Sequence, residues 1–342
     1  MSDAIITFPI LGDVQFNPAR FIQIGKLQIA WYGVIIATGF LLAVLYACRR
    51  SKDFGLTSDN IFDLIIWCVP LAIICGRIYY VIFDWQLYRD NPSEIYKLWH
   101  GGIAFYGVLI GGLVGVILYS KKMKIPFGTL MDIGCLGLLI GQFIGRWGNF
   151  VNREAYGYET DVAWKMGLTV GGNTTYVHPT FLYESLWTLA GFIFLHFYSK
   201  KHRRYDGQVF GLYLFWYGLA RLLIEGLRTD SLYLGATGIR VSQVVGFLTS
   251  VGAIVYLLWN RYRIAHDPAD LYVNRAAAAA EAAGEDDSAA SDEEDAAEEG
   301  ESGGDVHGED YREPYDIHKD KELFGDDEEE TPEEDGGKNN QS

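Results

Sequence analysis

Residues 145–157 combine charged and amide side chains with glycines at the end of an apolar segment, and they read GRWGNFVNREAYG. Their polar members include Arg146, Asn149, Asn152 and Glu154. Charged groups are costly in or beside lipid, so they mark a functional site there by default. These side chains could bind an anion and move a proton, and Gly145, Gly148 and Gly157 would let the backbone bend there and approach a ligand closely. The alternative is an interfacial cluster that only reaches lipid headgroups.

Two further arginines lie inside apolar segments. Arg221 precedes Glu225 by four residues, so the two side chains share a helical face and could pair. This pair is either structural or part of a phosphate clamp, because a planar guanidinium can bond two oxygens at once. Arg77 lies in the sequence GRIYY. Together with Arg146, three guanidiniums aimed at one cavity would form an anion site, and in a membrane the obvious anion is a phospholipid headgroup.

Other side chains are weaker candidates. His100 could serve as a general base because its pKa lies near neutral pH, or it is simply an interfacial histidine. Tyr32 and Tyr106 could donate hydrogen bonds to a phosphate or ester oxygen, although single tyrosines at such places more often pack at the interface. Glu184 could cap a helix or link to a buried arginine.

Several chemistries lack their sequence signatures. The chain has no GxSxG elbow, no phosphate-binding glycine loop and no HExxH motif. Its four cysteines have no metal-ligand spacing and fit buried apolar positions. We therefore expect no metal, no cofactor and no nucleic-acid partner, and the attacking nucleophile should belong to a substrate.

Seven apolar segments are long enough to cross a bilayer, which takes about 20 residues. They cover approximately 29–48, 61–83, 102–120, 127–145, 181–198, 208–227 and 239–259. The sequence therefore predicts an all-α integral membrane protein with about seven transmembrane helices.

The loop charges predict the orientation. Short basic clusters follow the first, third, fifth and seventh segments, whereas the other loops carry few basic residues. The positive-inside rule then places the N-terminus outside and the C-terminus in the cytoplasm. Under this topology His100, residues 146–154 and Arg228 lie at the outer face.

The C-terminal part differs sharply in composition. Residues 267–342 hold 28 of the 44 acidic and 5 of the 28 basic residues, so they carry −23, while the preceding residues carry +7. Few apolar residues and high net charge predict disorder. We expect a membrane domain at 1–265 and a disordered, acidic, cytoplasmic tail at 266–342. The tail either binds basic partners or is merely solvated.

These residues resemble the signature of bacterial prolipoprotein diacylglyceryl transferases. Residues 145–157 match G-R-x-G-N-F-x-N-x-E-x-x-G at every fixed position. Supporting matches are I-x-W-Y-G at 29–33, G-R at 76–77, H-P-T at 178–180, L-Y-E at 182–184, and Arg221 with Glu225 and Arg228. The resemblance extends over about 18–260 and leaves the acidic tail outside.

The resemblance implies an enzyme of the bacterial plasma (inner) membrane with its site at the outer leaflet. It would move the diacylglyceryl group of phosphatidylglycerol to the lipobox cysteine of a prolipoprotein signal peptide, forming a thioether and releasing glycerol phosphate. The residues and the resemblance together lead us to expect as catalytic residues Arg146, Arg221, Tyr106, His100 and Glu154. The implied residues for binding phosphatidylglycerol are Arg146, Asn149, Tyr32, Arg77, Asn152, Gly157 and Glu225.

One position departs from the family pattern. Tyr106 stands where the family often has a histidine that has been considered a catalytic base. A tyrosine, with an ordinary pKa of about 10, is a poor base at neutral pH. Either the base is His100 or Glu154, or thiol activation relies on the cationic site. Two other functions fit an anionic-lipid site: a lipid transporter, against which the lack of an internal repeat counts, and a phospholipid hydrolase.

Overall fold

Seven helices of 17 to 26 residues form the body of the protein in a computed structural model that describes residues 4–12, 14–25, 27–234 and 237–282. The helices, with the one-turn α3 among them, are α1 (Trp31–Arg50), α2 (Ser58–Phe83), α3 (Trp85–Tyr88), α4 (Phe105–Met123), α5 (Phe127–Asn152), α6 (Thr180–Lys201), α7 (Gln208–Ile224) and α8 (Val241–Arg263). Each long helix overlaps one predicted span.

Among the described residues, six of the long helices are long and apolar enough to cross a membrane, which agrees with the prediction of a mostly helical, multi-pass membrane protein. They are α1, α2, α4, α5, α7 and α8. The predicted span at 181–198 exists as α6, but α6 is not among these six in the described residues. The reason lies in its buried face, which carries polar side chains: Thr180, Glu184, Ser185, Thr188 and Ser199.

The helices pack in pairs around an apolar core. Helix α1 lies on α5, α2 on α4, α7 on α8, and α6 on both α5 and α7. Side chains such as Phe54, Leu136 and Leu195 are fully buried in the shared core. Because α5 contacts α1, α4, α6 and α7, it holds the central position in the bundle.

Short strands accompany the helices, so the prediction of an all-α fold was incomplete. A four-stranded antiparallel sheet has the order β2-β1-β5-β6, and β3 and β4 form a separate hairpin. The strands are β1 (Ile5–Phe8), β2 (Val14–Phe16), β3 (Phe21–Ile24), β4 (Leu27–Ala30), β5 (Met166–Val170) and β6 (Asn173–Val177). The larger sheet buries Ile6, Leu168 and Val177 against Phe181 of α6 and Phe150 of α5.

Helix α5 continues seven residues beyond the predicted end of its span at 145, to Asn152. The polar stretch 146–152 is therefore helical, and the prediction that glycines bend the backbone at 145 and 148 was wrong. The chain turns only at Arg153 and Ala155, which have positive φ angles of 54° and 53°. Arg153 is held there by hydrogen bonds from its side chain to Ala4, Val151, Asn17 and Pro18.

Two kinds of connection separate the ends of the bundle. Short links join α1 to α2, α4 to α5 and α6 to α7, and the basic clusters lie in these links and in the last turns of the helices before them. Longer segments join α2 to α4, α5 to α6 and α7 to α8, and the sheet belongs to this second end. We call the second end the site end, because the polar stretch of α5 lies there.

The segment expected to be disordered begins with ordered structure. Residues 268–270 form a 3₁₀ turn and residues 272–282 form a helix, α9. Leu271 is buried, and the backbone N–H of Tyr272 donates to Asp206 at 3.0 Å. The expectation of disorder from 266 onward is therefore wrong for these residues. The rest of the predicted tail, 283–342, lies outside the described residues.

Candidate active site

Glu184 is the centre of a cluster of three arginines at the site end. Its carboxylate lies in the second turn of α6 and is only 7% exposed. Glu184 Oε2 is 2.6 Å from Nη2 of Arg146 and 3.6 Å from Nη1 of Arg221, while Oε1 accepts from Nη1 of Arg228 at 2.8 Å. One carboxylate therefore gathers guanidiniums from α5, from α7 and from the segment after α7.

Arg221 pairs with Glu225 one helical turn later, as their spacing in the sequence indicated. Its Nη1 donates to Glu225 Oε2 at 3.2 Å, and its Nε donates to the hydroxyl of Tyr217 at 3.1 Å. Glu225 is 4% exposed and also accepts from the hydroxyl of Ser231 at 2.9 Å. Residues four before and four after Arg221 thus fix its guanidinium toward Glu184.

Arg228 brings a third carboxylate to the cluster. It donates from Nε and Nη2 to the two oxygens of Asp230, at 2.9 and 2.7 Å, in a bidentate pair. The hydrogen bond from the Arg228 guanidinium lowers the pKa of the Asp230 carboxyl, so Asp230 is ionised at neutral pH. Three arginines then face three carboxylates, and the cluster is formally neutral.

A second chain of hydrogen bonds leads from Arg146 along the end of α5. Arg146 Nη1 donates to Asn149 Oδ1 at 3.3 Å, and Asn149 Nδ2 donates to Glu154 Oε1 at 3.0 Å. Asn152 Nδ2 donates to the same Glu154 oxygen at 3.2 Å. The structure therefore brings together four of the residues predicted from the 145–157 stretch, and Glu154 is the exposed end of this chain.

A cavity of about 20 Å³ lies beside these groups, enough for one water-sized group. Its lining residues are Gln142, Arg146, Glu184, Thr188, Tyr217, Ala220 and Arg221. Both Arg146 and Arg221 border it, so this small cavity lies beside two cations.

Tyr32 and Gly157 were predicted to bind the substrate, and their contacts position the site. The Tyr32 ring lies so close to Gly148 that a Cβ there would sit 2.6 Å from the ring. This close approach brings the start of α1 against the polar end of α5. Gly157 donates its N–H to the carbonyl of His178 at 2.9 Å and pairs with Arg228 in a β-bridge, which ties the α5–α6 segment to the third arginine.

Arg77 has other partners, so the prediction that it aims at the same cavity was wrong. Its guanidinium donates to the carbonyls of Glu94, Ile95, Gly101 and Gly102 at 2.6 to 2.8 Å. The guanidinium also lies 5.1 Å from the centre of the Tyr88 ring. Four carbonyl contacts within the α2–α4 segment make Arg77 a clamp for that segment. The third arginine of the cluster is Arg228.

His100 and Tyr106 lie in or next to that clamped segment. His100 Nδ1 is 2.7 Å from Glu94 Oε2, and the histidine side chain is 55% exposed. Hydrogen bonds from Lys97 and His100 lower the pKa of Glu94. The Tyr106 ring lies against Tyr79 and Phe105. Across residues 4–12, 14–25, 27–234 and 237–282, neither side chain forms a hydrogen bond or an ion pair with Glu184.

Four residues of the site were not predicted from the sequence: Glu184, Arg228, Tyr217 and Gln142. Tyr217 could have been found, because it precedes Arg221 by one helical turn. For Glu184, one of the two interpretations, a link to a buried arginine, agrees with the structure. The number of its partners could not be predicted, because the three arginines come from separate elements. In the described part of the chain there is no group of three or more His, Cys, Asp or Glu that could hold a metal ion.

The arrangement can bind an anion if that anion replaces Glu184 as the acceptor of the guanidinium hydrogen bonds. A phosphate offers oxygen acceptors to the same guanidinium N–H groups that now contact Glu184. In a low-dielectric site such contacts stabilise charge that develops on an oxygen. Glu154, linked to Arg146 through Asn149, could accept a proton near that anion.

Comparison with known proteins gives a family for this arrangement. A family model described as prolipoprotein diacylglyceryl transferase matches residues 19–259, a range that includes every residue of the arginine cluster.

Three bacterial relatives carry the name phosphatidylglycerol–prolipoprotein diacylglyceryl transferase. The protein of Listeria welshimeri is 46% identical over 246 residues, 69% of this chain and 88% of the relative. That of Limosilactobacillus reuteri is 43% identical, covering 72% of this chain and 92% of the relative. That of Bacillus velezensis is 42% identical, covering 72% and 93%. The family match and these identities, taken with the arginine cluster, show that the chain belongs to the prolipoprotein diacylglyceryl transferase family.

Proposed function

We propose that this protein transfers the diacylglyceryl group of phosphatidylglycerol to a cysteine thiol of a prolipoprotein. The observation that carries the proposal is the match to the family model over 19–259, within which lie Arg146, Arg221 and Arg228 around Glu184. The names of the relatives support the same donor and the same class of acceptor.

The phosphate of the donor lipid binds to Arg146 and Arg221. Both arginines border the cavity, and both contact Glu184 through N–H groups that a phosphate can take over. The phosphate does not displace Arg228, which also pairs with Asp230. Glu184 therefore keeps Arg228 as its counter-charge after the exchange. Asn149 adds a polar group beside Arg146.

In the reaction, the thiolate sulfur attacks the glycerol carbon that carries the phosphate ester. A carbon–sulfur bond forms, the carbon–oxygen bond breaks, and the electron pair goes to the phosphate oxygen of the departing glycerol phosphate. Negative charge grows on that oxygen, so Arg146 and Arg221 stabilise the transition state more than the ground state.

The thiol must lose its proton before or during attack, and its ordinary pKa is about 8.5. Of the two proposed bases, His100 and Glu154, Glu154 has the better support, since two hydrogen bonds through Asn149 connect it to Arg146. His100 is hydrogen-bonded to Glu94 in the α2–α4 segment, and Tyr106 packs on Tyr79. We therefore assign proton acceptance to Glu154, with the nearby cations favouring the thiolate.

The seven long helices cross the plasma membrane with the N-terminus outside. The basic clusters of the short links then lie in the cytoplasm, as the positive-inside rule requires. The site end faces the outer leaflet, where the lipobox cysteine of a signal peptide meets phosphatidylglycerol. The acidic residues 283–342 follow α9 into the cytoplasm.

Mass spectrometry of a model prolipoprotein tests the function directly. We expect purified protein in vesicles of phosphatidylglycerol to add a diacylglyceryl mass to the lipobox cysteine. Arg146→Ala and Arg221→Ala should each slow transfer by about 100-fold or more, as loss of a charge-stabilising donor does.

Arg89→Ala is the matched control, because Arg89 is also at the site end but its side chain is 62% exposed. It should retain wild-type activity. No mass addition by the wild type, with lipid movement or free diacylglycerol instead, would favour a transporter or a hydrolase. Full activity in both buried-arginine variants would contradict the assigned roles.

A further inference from the structure

Gln142 lies on α5 one helical turn before Arg146 and lines the same cavity. Its Nε2 donates to the hydroxyl of Tyr213 on α7 at 2.9 Å, which fixes the orientation of the amide. The other end of the amide, Oε1, is buried and accepts no hydrogen bond from any residue that the structure describes.

A buried acceptor without a donor is rare in a folded protein and calls for an explanation. The described residues contain five other buried side-chain atoms of this kind, on Arg20, Thr129, Arg203, Asp206 and Ser250. None of these five residues lines the cavity. Gln142 Oε1 is therefore the unpaired acceptor, among these six atoms, that belongs to a residue lining the cavity beside Arg146 and Arg221.

The neighbouring groups define which ligand atom fits this acceptor. Arg146 and Arg221 carry only donors, and they suit phosphate oxygens. The hydroxyl of Thr188 already donates within α6, to the carbonyls of Glu184 and Ser185. A phosphate diester has no hydrogen to donate, so Gln142 Oε1 must face a different part of the ligand.

A hydroxyl group matches both the chemistry and the size. The cavity of about 20 Å³ accommodates about one water-sized group. Gln142 and Arg146 are four residues apart, so their side chains lie on one face of α5. A hydroxyl on the second or third carbon from a phosphate could reach the amide while the phosphate contacts the arginine.

We propose that Gln142 Oε1 accepts a hydrogen bond from a headgroup hydroxyl of the donor lipid and so selects a glycerol headgroup over one without hydroxyls. This inference rests on the proposed function, because it assigns a specificity residue to the same site. It gives the buried amide a ligand contact that neither cation can make.

Competition between two donor lipids tests the inference. The pair is phosphatidylglycerol and phosphatidylpropanol with identical acyl chains, which differ in the headgroup hydroxyls. The measurement is the ratio of kcat/KM for the two lipids with one model prolipoprotein. We expect the wild type to prefer phosphatidylglycerol and Gln142→Met to reduce that preference about five- to tenfold, the size of one neutral hydrogen bond.

Gln208→Met is the matched control. Gln208 also donates to a tyrosine hydroxyl, that of Tyr198 at 2.9 Å, but its Oε1 accepts from the N–H of Arg204 at 2.7 Å. Gln208 lies at the other end of α7, away from the cavity. We expect this variant to leave the lipid ratio unchanged. Gln142→Leu serves as a second variant if the methionine variant fails to fold.

Each outcome decides the inference. A wild type that uses both lipids equally overturns it, and so does a Gln142 variant that slows both lipids to the same extent. An unchanged ratio in both Gln142 variants, with transfer intact, means that the amide faces water or the peptide and also overturns it. If the wild type transfers neither lipid, the proposed function itself fails, which is a distinct result.

Discussion

Glu184 lies between guanidiniums from three elements, and this position explains why the arginines can be close together. Like charges repel strongly at such distances unless a counter-charge separates them. The sequence indicated Arg146 and the Arg221–Glu225 pair, because both are visible in local spacing. It could not place Glu184 at their centre, since the contacts connect α5, α6 and the segment after α7. For the same reason Arg77 was assigned to the cluster in place of Arg228.

Replacing Glu184 with glutamine should destabilise the protein. The change removes the charge that compensates Arg146 and Arg228, and uncompensated buried charge costs about 3–5 kcal/mol. We expect the melting temperature in detergent to fall by about 10 °C. Glu159→Gln is the control, because Glu159 is exposed in the same α5–α6 segment. Equal melting temperatures for the two variants would show that Glu184 is not needed to hold the cluster.

At the scale of elements, hydrophobic length located all seven long helices, and every helix except α5 agrees with its predicted span to within four residues at each end. The sequence misjudged the end of α5, because polar residues at 146–152 suggested a turn where the chain stays helical. The strands were missed since each has only three to five residues. One local signal was available. Gly171-Gly172 lies between two short runs that contain β-branched residues, and this pattern is typical of a tight hairpin, here that of β5 and β6.

The α2–α4 segment depends on Arg77 for its conformation. Arg77→Lys keeps the charge but cannot reach four carbonyls, so residues 94–102 should lose hydrogen-exchange protection about tenfold or more. The KM for phosphatidylglycerol should change little, because Arg77 is not in the Glu184 cluster. Arg89→Lys, at an exposed position of the same segment, should alter neither measurement. A large rise in KM with unchanged exchange would instead support the original prediction of a phosphate-binding Arg77.

At the scale of the whole molecule, charge and family coverage divide the chain at different places. The family model ends at residue 259, and composition changes near 266. The structure keeps its order through α9 to residue 282. The sequence did not predict order in 268–282, because the alanine run at 276–280 has the same low complexity as the acidic segment that follows it. What orders the start of this region is contact with the bundle.

Three contacts hold this segment at the end of the bundle opposite the site. Leu271 is buried, Tyr272 donates its N–H to Asp206, and the backbone of Val273 passes close to Gly55. A Cβ at Gly55 would lie 2.7 Å from the Val273 Cα, so only glycine permits this approach. The segment therefore connects the α1–α2 link to the α6–α7 link.

Two truncations separate these boundaries. A chain ending at 265 loses the apolar burial of Leu271 and Tyr272, worth about 3 kcal/mol, and its melting temperature should fall by about 6–12 °C. A chain ending at 282 keeps the contacts of 271–273 and should melt like the full-length protein, because the sequence predicts no packed structure for 283–342. Both chains retain residues 19–259, so both should still transfer diacylglyceryl groups at permissive temperature. Equal melting of all three chains would mean that α9 contributes nothing to stability and would restore the boundary at 265 that composition suggested.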